Sequence, residues 1–306
     1  MTNENSAISA IVFSCDEAYA FLARGLVLSL AEAGFPNNKI AVVLIDIGCE
    51  TETLSWMREH GIQIVPFDPA LIPKTIMSVI RPVQRAQVVR PWLPELLPRF
   101  QHFVWLDSDT WVQNGEFMRL LSAGANVAPD SVILAPANSH YHASAYSELH
   151  EILGMQLEWY TSCYEPYLAN KAASTLSYSS GVFGMRRTSP VWALWRQEVE
   201  YLYPAMAVRN ENLLHMAERI ALNIVIVRNP LVIVRLDPLY NFHCNVAGAV
   251  RLENGRVVTN LMLPPREIGV IHLANWSAMR QTYLAQNLLY RSGDYLTPAE
   301  RARIAS

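Results

Sequence analysis

Apolar residues come in short runs cut by polar breaks, and these alternate with longer stretches in which apolar positions recur every three or four residues. The runs at 7–14, 40–47, 62–65, 103–106, 132–135 and 177–185 read as buried strands, the last carrying a small-residue break at Ser179-Ser180-Gly181. The stretches at 18–33, closed by Gly34 and Pro36, at 51–60, closed by Gly61, and at 116–123, 190–202 and 211–220 read as helices. Residues 84–97 have helical spacing but contain Pro91 and Pro94, which predicts a kink or two short helices. Further strands are expected at 224–227, 231–235 and 269–272, with a hairpin turn at Asn254-Gly255. A helical tail is expected at 278–290, and Thr297-Pro298-Ala299-Glu300 has the form of a capping box. Strand-helix alternation of this kind builds an α/β domain with a mainly parallel central sheet flanked by helices. Residues 137–171, dense in Tyr, Trp, His and Glu, depart from it and read either as a lid over an acceptor or as an aromatic subcore.

The run Phe103-Val104-Trp105-Leu106 ends abruptly in Asp107-Ser108-Asp109. Open α/β sheets hold ligands at the C-terminal edges of their strands. Two acids at i and i+2 on extended chain point the same way, about 6 to 7 Å apart. One can ligate a divalent cation while the other takes a neighbouring ligand group or a metal-bound water. One or two carboxylates together with a substrate diphosphate are a sparse arrangement suited to Mn²⁺ or Mg²⁺.

Composition narrows the function. The 306 residues are 51% hydrophobic and 17% charged, which argues against disorder, and a net charge of -3 supplies no basic field for nucleic acid. Cys15, Cys49, Cys163 and Cys244 lack the paired spacing of a zinc or redox site and are expected to be idle thiols of a cytoplasmic protein. No run reaches the length of a membrane span, which leaves a peripheral membrane contact open. His140, His142 and His150 lack ligand partners at a known spacing.

Over residues 11–272 the sequence resembles the nucleotide-sugar glycosyltransferases of the GT-A fold, and within them family 8, the galactosyltransferase and glycogenin-like enzymes. Ile11-Val12-Phe13-Ser14-Cys15-Asp16-Glu17-Ala18-Tyr19 is similar to the family's first strand and nucleotide-binding turn, with Asp16 in the turn and Tyr19 against the base. Val89-Arg90-Pro91 resembles the arginine-bearing helix before the metal motif, which implies that Arg90 contacts the nucleotide sugar. Phe103 to Asp109 resembles the Tyr-Leu-Asp-x-Asp signature, so Asp109 is the implied metal ligand, Asp107 contacts metal and ribose, and Ser108 lies with them on the nucleotide. Ser180-Gly181-Val182 resembles the strand that meets the donor sugar, and Asn210-Glu211 resembles an acidic helix start beside the anomeric carbon. Ile271-His272 resembles the late strand whose histidine completes the metal shell.

Two departures stand out. Ser180 replaces the usual asparagine, and His272-Leu273-Ala274-Asn275-Trp276 lacks the family's glycine, lysine and proline, leaving Arg280 and Lys171 as stand-ins for the missing cation.

The resemblance implies a metal-dependent hexosyltransferase with Mn²⁺ or Mg²⁺ as cofactor and a nucleotide diphosphate sugar, UDP-linked, as donor. The acceptor would be a hydroxyl of a glycan, a lipid-linked sugar or a protein, and the configuration would be retained. A nucleotide-binding half at about 1–112, an acceptor half at about 113–276 and a tail at 277–306 follow. A sugar-phosphate nucleotidyltransferase would want a glycine-rich loop after the first strand, and residues 14–19 contain no glycine. The changes at Ser180 and after His272 keep a non-catalytic sugar-binding module open as the alternative.

Overall fold

The structure, a computed structural model, describes residues 9–117, 131–137, 149–229, 233–243, 250–253, 256–259 and 265–274. The strands are β1 (Ser9–Cys15), β2 (Ile40–Asp46), β3 (Gln63–Pro66), β4 (His102–Leu106), β5 (Thr110–Val112), β6 (Val132–Pro136), β7 (Tyr178–Arg186), β8 (Ile233–Arg235), β9 (Phe242–His243), β10 (Val250–Glu253), β11 (Arg256–Thr259), β12 (Arg266–Glu267) and β13 (Val270–His272). The central sheet runs β3-β2-β1-β4-β7-β6-β8. Every strand points the same way except β7, which is antiparallel to both β4 and β6. This reversal matters for function, because it brings the start of β7 to the C-terminal end of β4.

Both faces of the sheet are covered, so its strands are apolar nearly throughout. Alternate residues divide between the two layers. Val12, Val43, Phe103, Trp105 and Phe183 pack on one side with helices Val191–Arg209 and Ala217–Arg228; Ile11, Phe13, Leu44, Leu106 and Val182 pack on the other with helix Ala20–Glu32. Trp105, Phe183, Trp192 and Trp195 form an aromatic group in the first layer.

Several expectations are revised. Residues 224–227 are the end of helix Ala217–Arg228, not a strand. The run Ile224-Val225-Ile226-Val227 has strand propensity, but burial of Ile220, Ala221, Ile224 and Val225 at helical spacing outweighs it. Residues 211–216 form a 3-10 helix ahead of it. Helix Val191–Arg209 continues through Pro204, because its inward face, including Leu202, Tyr203 and Met206, stays packed. β7 is continuous across Ser179-Ser180-Gly181. Tyr160, Cys163, Tyr164 and Leu168 join the core, which makes the described part of 137–171 an aromatic subcore.

The last strand does not complete the central sheet: β13 lies in a separate three-stranded sheet, β5-β13-β9. Residues 84–97 break at Pro91 into helix Arg85–Val88, a 3-10 turn Arg90–Trp92 and helix Leu93–Leu96, as the prolines predict. The cysteines, far apart in sequence, include one pair in space: Cys15 Sγ and Cys49 Sγ are 3.4 Å apart. Both are free thiols, and the bond to Cys49, then burial, hold Cys15 well above the usual thiol range. Residues 118–130, the Asn254-Gly255 turn, His140, His142, Cys244, Arg280, Asn275, Trp276 and the expected tail helices lie outside the described residues. Among the described residues no helix is long and apolar enough to cross a membrane.

Candidate metal and nucleotide site

β4 ends at Leu106, and the chain turns at once, with Thr110 N and Oγ1 both donating to the Asp107 carbonyl at 3.0 and 2.7 Å. It leaves as β5, against which β13 pairs antiparallel with His272 opposite Thr110. Leu273 N donates to the Asp109 carbonyl at 2.9 Å. His272 is thereby set against the two acids: Nε2 lies 3.2 Å from Asp109 Oδ1 and 3.8 Å from Asp107 Oδ2. Asp107, Asp109 and His272 each offer one ligand atom, and these lie within 4.8 Å of one another.

The donor set fits a divalent cation on two further observations. His272 Nδ1 donates to Asn241 Oδ1 at 2.8 Å, which leaves Nε2 as the ring nitrogen that faces the two acids. Gly181 provides the room, since a Cβ there would stand 2.5 Å from His272 Cε1 and 2.7 Å from Asp107 Oδ2. Burial works against charge on both His272 and Asp109, but their attraction prevails. Asp109 is held below the usual carboxylate range and His272 above the usual imidazole range.

Arg90 ties this group to the sheet. It is buried over the Trp105 ring, with Nη2 donating to Asp107 Oδ1 at 2.5 Å and Nη1 to Glu218 Oε2 at 2.6 Å and Ser180 Oγ at 2.8 Å. Ser180 Oγ in turn donates to Glu218 Oε2 at 2.9 Å. Burial pushes the Glu218 carboxyl up to about 7 against the pull of Arg90 and Ser180, with the Asp107 charge adding to the rise. Two carboxylates, those of Asp107 and Glu218, thus share one guanidinium. Asn223 clamps the start of β7, accepting from Tyr178 N and donating to Tyr178 O.

Beside the acids lies an open cleft of about 180 Å³, lined among others by Ser14, Asp16, Tyr19, Gln87, Arg90 and Ser108. Asp16 caps the 3-10 turn Glu17–Tyr19 by accepting from Tyr19 N at 3.2 Å, which leaves the partly exposed Tyr19 ring at the cleft wall. Burial, then the Asp109 and Asp16 charges, raise the Tyr19 phenol. Ser14 Oγ and Gln87 Oε1 are buried without a hydrogen-bond partner at this cleft, as expected of a wall built for a polar ligand.

Of the residues singled out in the sequence, Asp16, Tyr19, Arg90, Asp107, Ser108, Asp109, Ser180, Gly181 and His272 are thus gathered at one sheet edge. For Glu211 and Asn210 no such contact is found among the described residues. Glu211 is exposed at the start of its 3-10 helix, and neither residue bonds to the Arg90 network among the described residues. Lys171 donates to the Val227 carbonyl, near the far end of the helix that carries Glu218. At about 1.5 Å rise per residue this places it well away from the acids. Glu218, Trp105 and Asn241 complete the group and were not anticipated.

No protein-family model and no curated protein matches the sequence. Solved structures do match in fold. A galactosyltransferase, LgtC, in complex with donor and acceptor sugar analogs is 14% identical at a TM-score of 0.59, over 96% of this chain and 99% of its own. The bifunctional glycosyltransferase WbbM is 13% identical at 0.56, over 95% of this chain and 52% of its own. Mouse xyloside xylosyltransferase 1 is 14% identical at 0.51, over 88% and 98%. The chain therefore has the α/β fold of these GT-A glycosyltransferase structures.

Proposed function

We propose that the protein is a metal-dependent glycosyltransferase that moves a hexose from a nucleotide diphosphate sugar, UDP-linked, to a hydroxyl acceptor on a glycan, lipid-linked sugar or protein, with retention. The observation that carries this reading is the convergence of Asp107 Oδ2, Asp109 Oδ1 and His272 Nε2 beside the Tyr19 cleft. Two carboxylates facing a diphosphate would repel it, so the cleft makes chemical sense only with a cation between them. That cation, Mn²⁺ or Mg²⁺, would offset the charge that develops on the leaving diphosphate.

The chain's own residues do the rest. Tyr19 flanks the base, and Asp16 and Ser108 line the same cleft. Every residue lining that cleft falls between 14 and 109, which supports a nucleotide-binding half at about 1–112 and an acceptor half at about 113–276. Arg90 and Ser180, bonded to each other beside Asp107, are the candidate contacts of the donor sugar. Glu218, whose Oε1 lacks a partner, is the acid better connected to that point than Glu211 or Asn210. A screen of nucleotide sugars for release of nucleoside diphosphate with and without Mn²⁺ tests the reading. No release from any donor, with Mn²⁺ bound normally, would favour the non-catalytic sugar-binding module instead.

A further inference from the structure

Both hydrogen bonds to the Asp107 carboxylate fall on the same oxygen. Trp105 Nε1 donates to Oδ1 at 2.7 Å and Arg90 Nη2 donates to Oδ1 at 2.5 Å, while Oδ2 faces His272. The bias is built into the strand. Residues i and i+2 share a face, so the buried Trp105 indole reaches forward to Asp107, and Arg90 lies over that same ring, its centre 5.1 Å away. Arg90 cannot swing off, because Glu218 and Ser180 hold its other nitrogen. The Asp107 backbone is fixed as well, its N–H donating to the Gly181 carbonyl at 2.8 Å. Oδ1 is therefore committed to two donors and Oδ2 alone is left for a cation.

We infer that Trp105 and Arg90 are positioning residues that make Asp107 a one-oxygen ligand and thereby set which divalent cation the site accepts. This rests on the metal reading above. Ca²⁺ favours six to eight oxygens and readily takes both oxygens of a carboxylate, whereas Mg²⁺ and Mn²⁺ suit sparse octahedral shells. With Asp107 Oδ1 withheld, the site offers one oxygen of Asp107, the carboxylate of Asp109 and one imidazole nitrogen, one oxygen fewer than two unrestrained carboxylates would give, which disfavours Ca²⁺. Glu218 and Ser180 contribute at one remove, by holding Arg90.

The test is a binding measurement that does not depend on turnover. Mn²⁺ is titrated into the full chain with UDP present, followed by the paramagnetic resonance of free Mn²⁺, and Ca²⁺ is then added as competitor. In Trp105→Phe, which removes one of the two donors on Oδ1, the ratio of Ca²⁺ to Mn²⁺ dissociation constants is expected to fall fivefold or more. Arg90→Lys keeps the charge but cannot span Asp107, Glu218 and Ser180 together, and is expected to move the ratio in the same direction. It also serves as the second variant if Trp105→Phe does not fold, as judged by circular dichroism. An unchanged ratio in a folded variant that binds Mn²⁺ overturns the inference and leaves the metal reading standing. Failure of the unmodified protein to bind Mn²⁺ overturns both.

Discussion

Replacing Gly181 by alanine probes the site through a single methyl group. The added Cβ would stand 2.5 Å from His272 Cε1 and 2.7 Å from Asp107 Oδ2, where carbon contacts settle at about 3.5–4.0 Å. One of these ligands must then retreat by about 1 Å. Neither can do so freely. His272 is paired in β13 between β5 and β9, with Nδ1 on Asn241 and its ring against His243 at 4.6 Å. Asp107 is held through Oδ1 and its backbone N–H, and β7 is bonded on both sides. Overpacking in such a setting costs about 1–3 kcal/mol. A ligand displaced by about 1 Å costs on the order of 10²-fold in activity. The expected result for Gly181→Ala is a modestly lowered melting temperature together with a Mn²⁺ affinity and a donor turnover reduced far more than that stability loss implies. The assay is a thermal melt, a Mn²⁺ titration and nucleoside diphosphate release on one preparation. Wild-type Mn²⁺ affinity and turnover in Gly181→Ala would refute the placement of His272 and Asp107 around this glycine.

Three further outcomes follow from the same geometry. Asp109→Asn removes a ligand charge without removing core volume and should abolish turnover in a chain that still folds, with a melting temperature lowered by the lost pairing with His272; near-normal turnover at saturating Mn²⁺ would remove the acid from the site. Tyr19→Ala removes the cleft wall, where aromatic stacking on a base is worth about 1–3 kcal/mol, and calorimetry should show UDP binding weakened by roughly ten- to a hundred-fold. Glu218, raised to about 7 from the ordinary 4.5, holds a proton in the folded state that the unfolded chain has released, so its contribution to stability is present below about 4.5 and is lost as pH rises towards 7. Glu218→Gln should flatten the fall of melting temperature across that window, and parallel curves for the two proteins would count against a protonated Glu218.

The parts of the site that were legible in the sequence are those whose chemistry is local. Asp107 and Asp109 stand out because acids end an apolar run, whereas Tyr19, Arg90 and His272 are marked only by the resemblance to GT-A enzymes. Glu218 was hidden by an ordinary appearance, that of an acid in the first turn of a helix, where the macrodipole favours one anyway. A signal did exist: Leu214, Ala217, Ala221 and Val225 are buried at helical spacing, and Glu218 falls on that same stripe, where an unpaired charge is costly. Trp105 read as core, which it is, and nothing in a linear sequence announces that its indole nitrogen reaches the next acid on the same face. Asn241 lies in a loop and acquires its meaning only from β13. The misplaced strand at 224–227 has the same origin, since four branched residues promise a strand until a buried helix face claims them.

β13 is only three residues long, yet it carries the nitrogen that completes the group of ligand atoms around Asp107 and Asp109. Every strand of the central sheet is in place without it. A chain cut short of Val270 would keep those seven strands and lose the one nitrogen of the Asp107, Asp109 and His272 group, so that the scaffold of the site and its third ligand belong to different sheets.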